Sequence, residues 1–127
     1  MMEARQLGTY LARGRVGLGL AAMIAPGPAL AVTHGRGAAT PAARAFGRLA
    51  GVRDAVMGAG GSIAAGQHAG GGDWLSMMAL VDAFDALVML ASPGLPKRTR
   101  LIGLMAAGSA VLHLYLAREI AAEDLAQ

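Results

Sequence analysis

Two stretches of this chain, Val16 to Val32 and Leu101 to Leu116, contain no charged side chain, which restricts the solvent they can fold in. A helix on the surface of a water-soluble bundle needs a polar outer face. Neither stretch can supply one, so the pattern points to helices solvated by lipid. Composition agrees, with 55% hydrophobic and 15% charged residues and a mean hydropathy of +0.50, where soluble domains carry roughly a quarter charged. At 127 residues the chain reads as one membrane domain over 1–127, leaving no room for a separate catalytic domain.

Cysteine is absent, which excludes disulfides, thiolate metal sites and cysteine nucleophiles. A net charge of +3 and a pI near 10.2 could suit nucleic acid, but the eleven Lys and Arg residues are scattered among hydrophobic segments. No basic face is formed, so the lipid bilayer with its anionic headgroups is the expected partner and nucleic acid is not. Met1 to Tyr10 lacks the pattern of a cleaved signal, and Arg13 and Arg15 interrupt the apolar run behind it. The N-terminus is expected to be retained.

The expected fold is an all-α, integral membrane four-helix bundle with helices over 4–25, 41–67, 72–91 and 97–121. Trp74 to Ala91 and Leu101 to Ala117 are each long enough for a hydrocarbon core of about 30 Å at about 1.5 Å per residue. Ser92-Pro93-Gly94-Leu95-Pro96 separates them, and Lys97, Arg98 and Arg100 mark the interface. Trp74 and Tyr115 would lie in an aromatic belt at one face. The second helix starts at Pro41 behind the potential cap Thr40. Its small stripe of Gly47, Gly51, Gly58 and Gly61, with Asp54 between, lets another helix approach closely. The competing reading makes these glycines a flexible loop hinged at Gly60-Gly61. For the first helix, Ala4 to Ala25 is preferred over Val16 to Val32, because Pro26-Gly27-Pro28 inside a span would free backbone groups that lipid cannot satisfy.

Depth then orders the charges. A turn at Gln67 to Gly72 sets Arg53 and Asp54 level with Asp85 and about one turn from Asp82. A connection from Pro26 to Pro41 sets Arg15 level with Val52 and Arg53. Arg15, Arg53, Asp54, Asp82 and Asp85 should therefore meet as an intramembrane cluster on three helices. Asp82 and Asp85, three apart, share a helix face, and a carboxylate there needs a cation beside it. With one arginine in reach, one of the two would hold a proton. Such a network can staple helices or carry an ion or proton.

His113 follows Gly103, Ala106 and Ala110 on the small-residue face of the fourth helix and should point inward, as a structural imidazole or a proton carrier. His34 and His68 fall in expected loops without ligand spacing, so no metal is expected. Gly58-Ala59-Gly60-Gly61-Ser62 and Gly70-Gly71-Gly72 lack the lysine and the strand–helix context of a phosphate loop. Ser62, Ser76 and Ser109 have no catalytic elbow. No catalytic residue and no cofactor is expected.

Three segments, Gly14-Arg15-Val16-Gly17-Leu18-Gly19-Leu20 leading to Ala25-Pro26, Arg48-Leu49-Ala50-Gly51-Val52-Arg53-Asp54, and Asp82-Ala83-Phe84-Asp85-Ala86, run in this order and spacing. In them the chain resembles an uncharacterised family of small bacterial four-helix membrane proteins best known from high-GC genomes. The resemblance supports the Ala4 to Ala25 register and implies that the five charged residues belong together. It implies no activity. The functional expectation is a structural or accessory membrane subunit, associating with itself or a larger complex through small-residue faces. The alternative is a proton- or ion-coupled transporter or channel using the Asp/Arg cluster. A membrane enzyme acting on a lipid or quinone comes third. Lys and Arg outside the hydrocarbon concentrate in the two loops opposite the termini, so both termini should face away from the cytoplasm.

Overall fold

The computed structural model describes residues 3–67 and 70–126, so His68 lies outside the described residues. The chain is all-helical, with no strand among those residues. Its elements are α1 (Ala4–Ile24), α2 (Pro26–His34), α3 (Pro41–Ala65), α4 (Gly71–Ala91) and α5 (Lys97–Leu125), with one 3-10 turn at Arg36–Ala38 ahead of α3.

The connection expected from Pro26 to Pro41 contains a helix of its own. Proline breaks a helix by lacking an amide donor, yet in the first turn that donor has no intrahelical partner to lose. Pro26 opens α2 on those terms, and the first helical bond of α2 runs from Ala29 N to Ala25 O. The chain turns through 111° at Ala25 between α1 and α2, so Val16 to Val32 is not one helix. Gly35, at φ 100°, ends α2 in a conformation that side chains disfavour.

The other boundaries follow local chemistry. Thr40 accepts a hydrogen bond from Ala43 N and caps α3 at Pro41. The far end of α3 stops at Ala65 instead of 67 because Gly66 N and Gln67 N bond to Ile63 O and Ala64 O, tightening the last turn. Gly70, at φ 88°, supplies the left-handed corner before α4, which begins one residue earlier than expected. Helix α5 passes 121 to Leu125, since Arg5 of α1 pairs with Glu123 and Asp124 and holds its last turn.

The long helices form two intimate pairs, α1 with α3 and α4 with α5, which pack against one another through α3 with α4 and α1 with α5. The apolar core gathers at the end nearest the termini, where Ala12, Leu75, Met78, Leu116, Ala117 and Ile120 interlock beneath Leu7, Leu11 and Met57. At the other end α2 lies against α3 and α5.

Glycine determines how closely the first pair approaches. A β-carbon on Gly51 would lie 2.6 Å from Gly19 O, and one on Gly58 would lie 2.5 Å from Ala12 O. Gly61 faces Met78 Sδ, and Gly103 of α5 faces Met89 Cβ and Leu90. Gly47 departs from this stripe: its nearest neighbours, Pro26 and Leu30 of α2, stand at ordinary contact distance of 3.7 Å or more. It passes beside α2 and does not admit a backbone. Gly60 is no hinge, for it lies within α3 beneath the ring of Trp74.

By length and composition, α4 and α5 are each apolar enough to cross a membrane. Helices α1 and α2 meet the same standard only taken together, across their bend, which makes two or three candidate spans.

Candidate functional site: a charge network halfway along the helices

Arg15 sits within one residue of the midpoint of α1, Arg53 at the midpoint of α3 and Asp82 within one residue of the midpoint of α4. Ser109 and His113 bracket the midpoint of α5. The five charged residues expected together are together, and their pairing has a definite order.

Arg15 is the hub. Its Nη2 and Nε donate to Asp54 Oδ1 at 3.0 and 3.3 Å, and its Nη1 lies 2.7 Å from Asp82 Oδ1. One guanidinium thus joins α1 to α3 and to α4, a geometry suited to the planar, multiply donating arginine head. Gly51 and Gly58 flank Asp54 by three and four residues on α3, so the close backbone approach that they permit brings Arg15 within reach.

Arg53 forms the second node. Its Nη1 and Nη2 make a two-point contact with Asp85 at 2.9 and 2.6 Å, while its Nε and Nη2 reach back to Asp54 Oδ1. Each carboxylate has its own arginine, Asp82 taking Arg15 and Asp85 taking Arg53, so the case of one arginine shared between them does not arise. Three residues along α4 turn the second side chain from the interior toward α3, and exposure follows. The side chains of Arg15 and Asp82 are 10% and 9% exposed, those of Arg53 and Asp85 39% and 27%.

Helix α5 completes the array. Ser109 Oγ donates to Asp82 Oδ2 at 2.7 Å, and His113 Nδ1 lies 3.0 Å from the same oxygen. His113 is buried, and its Nε2 has no hydrogen-bond partner among the described residues. Both oxygens of Asp82 are therefore engaged, one by α1 and one by α5. Ser109 bears no charge that would mark it at this depth, and its only signal in the sequence is its place one turn before His113 on the same face.

Three carboxylates face two guanidiniums, leaving one negative charge unless His113 or a carboxyl carries a proton. Among the described residues no group of three or more His, Asp or Glu is arranged to hold a metal ion. A cleft of about 330 Å³ lies between α4 and α5, lined by Ser76, Ala79, Leu80, Ala83, Ala110, Val111 and Leu114. Its walls include none of the charged residues.

Fold and site together define an all-helical protein with two or three candidate membrane spans and an ion-pair network at mid-length. Comparison with family models, with curated proteins and with solved structures gave no match.

Proposed function

We propose that the protein is a multi-pass cell-membrane protein of four antiparallel spans, α1, α3, α4 and α5, serving as a structural or accessory subunit that associates with itself or a larger complex. It is read as one of the small bacterial four-helix membrane proteins that its sequence resembles. The membrane part draws support from Leu18, Phe46, Leu80, Phe84, Leu104 and Val111, apolar side chains on all four helices that are each more than half exposed. In water such coverage would be an aggregation hazard, and in lipid it is a solvated surface. Helix α3 crosses with its two mid-length charges, Arg53 and Asp54, paired.

The accessory role rests on one observation, the uneven exposure of the network. Arg15 and Asp82 close on partners inside the chain, whereas the Arg53–Asp85 pair opens outward at the same depth. An ion pair facing hydrocarbon is penalised, and a second polypeptide laid over it removes the penalty. Purification in mild detergent, with the mass of the particle measured, tests the reading. A homo-oligomer or a stoichiometric larger partner is expected. A monodisperse monomer that leaves Arg53 and Asp85 open to aqueous probes would overturn it.

The excess carboxylate favours a second reading, proton- or ion-coupled transport, with His113 as the group that takes up or releases the balancing proton. Vesicles containing the purified chain would then pass protons, and His113→Ala would abolish the flux. Proton-tight vesicles would remove this reading.

A further inference from the structure

Apart from Arg13, exposed at mid-length on α1, the charges outside the network are sorted by end. Around α2 and the starts of α3 and α5 stand Arg36, Arg44, Arg48, Lys97, Arg98 and Arg100, all exposed, with no carboxylate among the described residues there. At the opposite end Glu3, Asp73, Glu119, Glu123 and Asp124 outnumber Arg5 and Arg118. The ion pairs of the described chain involve none of the six cations. Two of them are held in place by backbone instead: Arg44 Nε donates to Ala39 O and Arg100 Nη1 to Leu90 O, bonds that fix the heads without neutralising them.

Two further features coincide with this surface. Helix α5 starts here with no side-chain cap and no acidic residue in its first turn, so its free amides add to the positive field. Thr99, in that turn, has a buried hydroxyl without a partner. Helix α2 bends away from α1 by 111°, carries no charge and leaves Val32 75% exposed. With α1 crossing a bilayer, α2 lies along its surface, at the boundary between acyl chains and headgroups.

We infer that this end is a docking surface for anionic phospholipid headgroups: α2 rests in the plane of the leaflet and the six cations, with Lys97, Arg98 and Arg100 at the centre, engage phosphate oxygens. The inference rests on the membrane reading above. A nucleic acid would meet the same charge, but not with a half-buried apolar helix that turns Pro28 and Val32 outward into the contact.

The test uses the full chain in nanodiscs of phosphatidylcholine, alone or mixed with phosphatidylglycerol, together with mass spectrometry of lipid carried through detergent purification. Phosphatidylglycerol should be enriched severalfold over its share of the membrane and should raise the thermal midpoint by several degrees. Both effects should vanish in the Lys97→Gln, Arg98→Gln, Arg100→Gln variant and persist in Arg118→Gln at the opposite end. Because Arg100 also holds the Leu90 carbonyl, Arg36→Gln with Arg98→Gln serves as a second variant, expected to weaken both effects in a folded chain. Equal retention of the two lipids, indifference to both variants, reproduction of the shift by inorganic phosphate, or tighter binding of duplex DNA than of phosphatidylglycerol vesicles would each overturn the inference. A chain found in membranes without lipid preference loses this inference alone; one soluble without detergent loses the membrane reading as well.

Discussion

Gly19 and Gly51 face each other reciprocally: a β-carbon built on either would lie 2.6 Å from the carbonyl oxygen of the other. Neither backbone can yield without separating α1 from α3, and Arg15 crosses to Asp54 only one turn farther along. Gly51→Ala is therefore expected to cost about 1–3 kcal/mol, as overpacking does, although alanine is the better helix former. Gly17→Ala, which meets nothing within 4 Å, should instead stabilise by up to about 1 kcal/mol. Thermal unfolding in detergent, followed by circular dichroism, distinguishes the two. Equal effects would mean that α1 and α3 do not meet in this register.

The contact of Arg53 with Asp85 predicts non-additivity. Asp85→Asn leaves the guanidinium short of a counter-charge, whereas Asp85→Asn combined with Arg53→Gln leaves two neutral amides that can still hydrogen-bond. The double variant should be more stable than the sum of the singles, by about 0.5–3 kcal/mol. Additive losses across the cycle would show that the pair is not formed.

Arg15→Gln should be the most damaging single change in the network, because it strips a charge partner from both Asp54 and Asp82. Breaking a buried pair in this way costs about 3–5 kcal/mol. Ser109→Ala removes one hydrogen bond to a carboxylate that keeps Arg15 and His113, so its cost should be nearer 1.5 kcal/mol, the low end for a bond to a charged group. A larger loss from Ser109→Ala than from Arg15→Gln would contradict the hub geometry.

Orientation follows from the same sorting of charge. Cations flanking membrane helices are retained on the cytoplasmic side, and the end holding Arg36, Arg44, Lys97, Arg98 and Arg100 is opposite the termini. A reporter fused to the C-terminus should therefore be active only outside the cytoplasm. Moving three of these cations to the terminal side should invert the result. A cytoplasmic reporter in the unaltered chain would refute the assignment.

Much of this arrangement was legible in the sequence because depth along an antiparallel helix is a linear count. Proline and glycine breaks gave the origin of that count, and Arg15, Arg53, Asp54, Asp82 and Asp85 then fell at one level. What a linear count cannot carry is rotation about the helix axis, which decides how partners are shared. Asp82 and Asp85 differ by less than a turn, yet one reaches α1 and α5 while the other reaches α3. Gly19 was missed for a related reason: it lies in an uncharged run where every small residue looks alike, and only its facing residue, Gly51, distinguishes it from Gly17. Helix α2 was hidden because Pro26 signals both the end of one helix and the first turn of the next. The competing reading of Gly60 as a hinge fails because α3 runs through it and the ring of Trp74 occupies the space above it.

The hub of the network also bears on how such a chain is made. Arg15 precedes its first counter-charge, Asp54, by 39 residues, and Asp82 is synthesised later still. On the membrane reading, the first helix emerges from the ribosome carrying a guanidinium with nothing to neutralise it, and the bilayer midplane is closed to it on those terms. It must wait at the headgroups or in a protein-lined channel until α3 arrives, so the first two long helices enter as a unit and not in sequence. The segment Pro26–His34, bent 111° from α1 and free of Asp, Glu, Lys and Arg, lies between them and can rest at the interface during that delay. A chain truncated before Asp54 would then be a substrate for membrane quality control, whereas one ending after Ala65 would have its first ion pair in place.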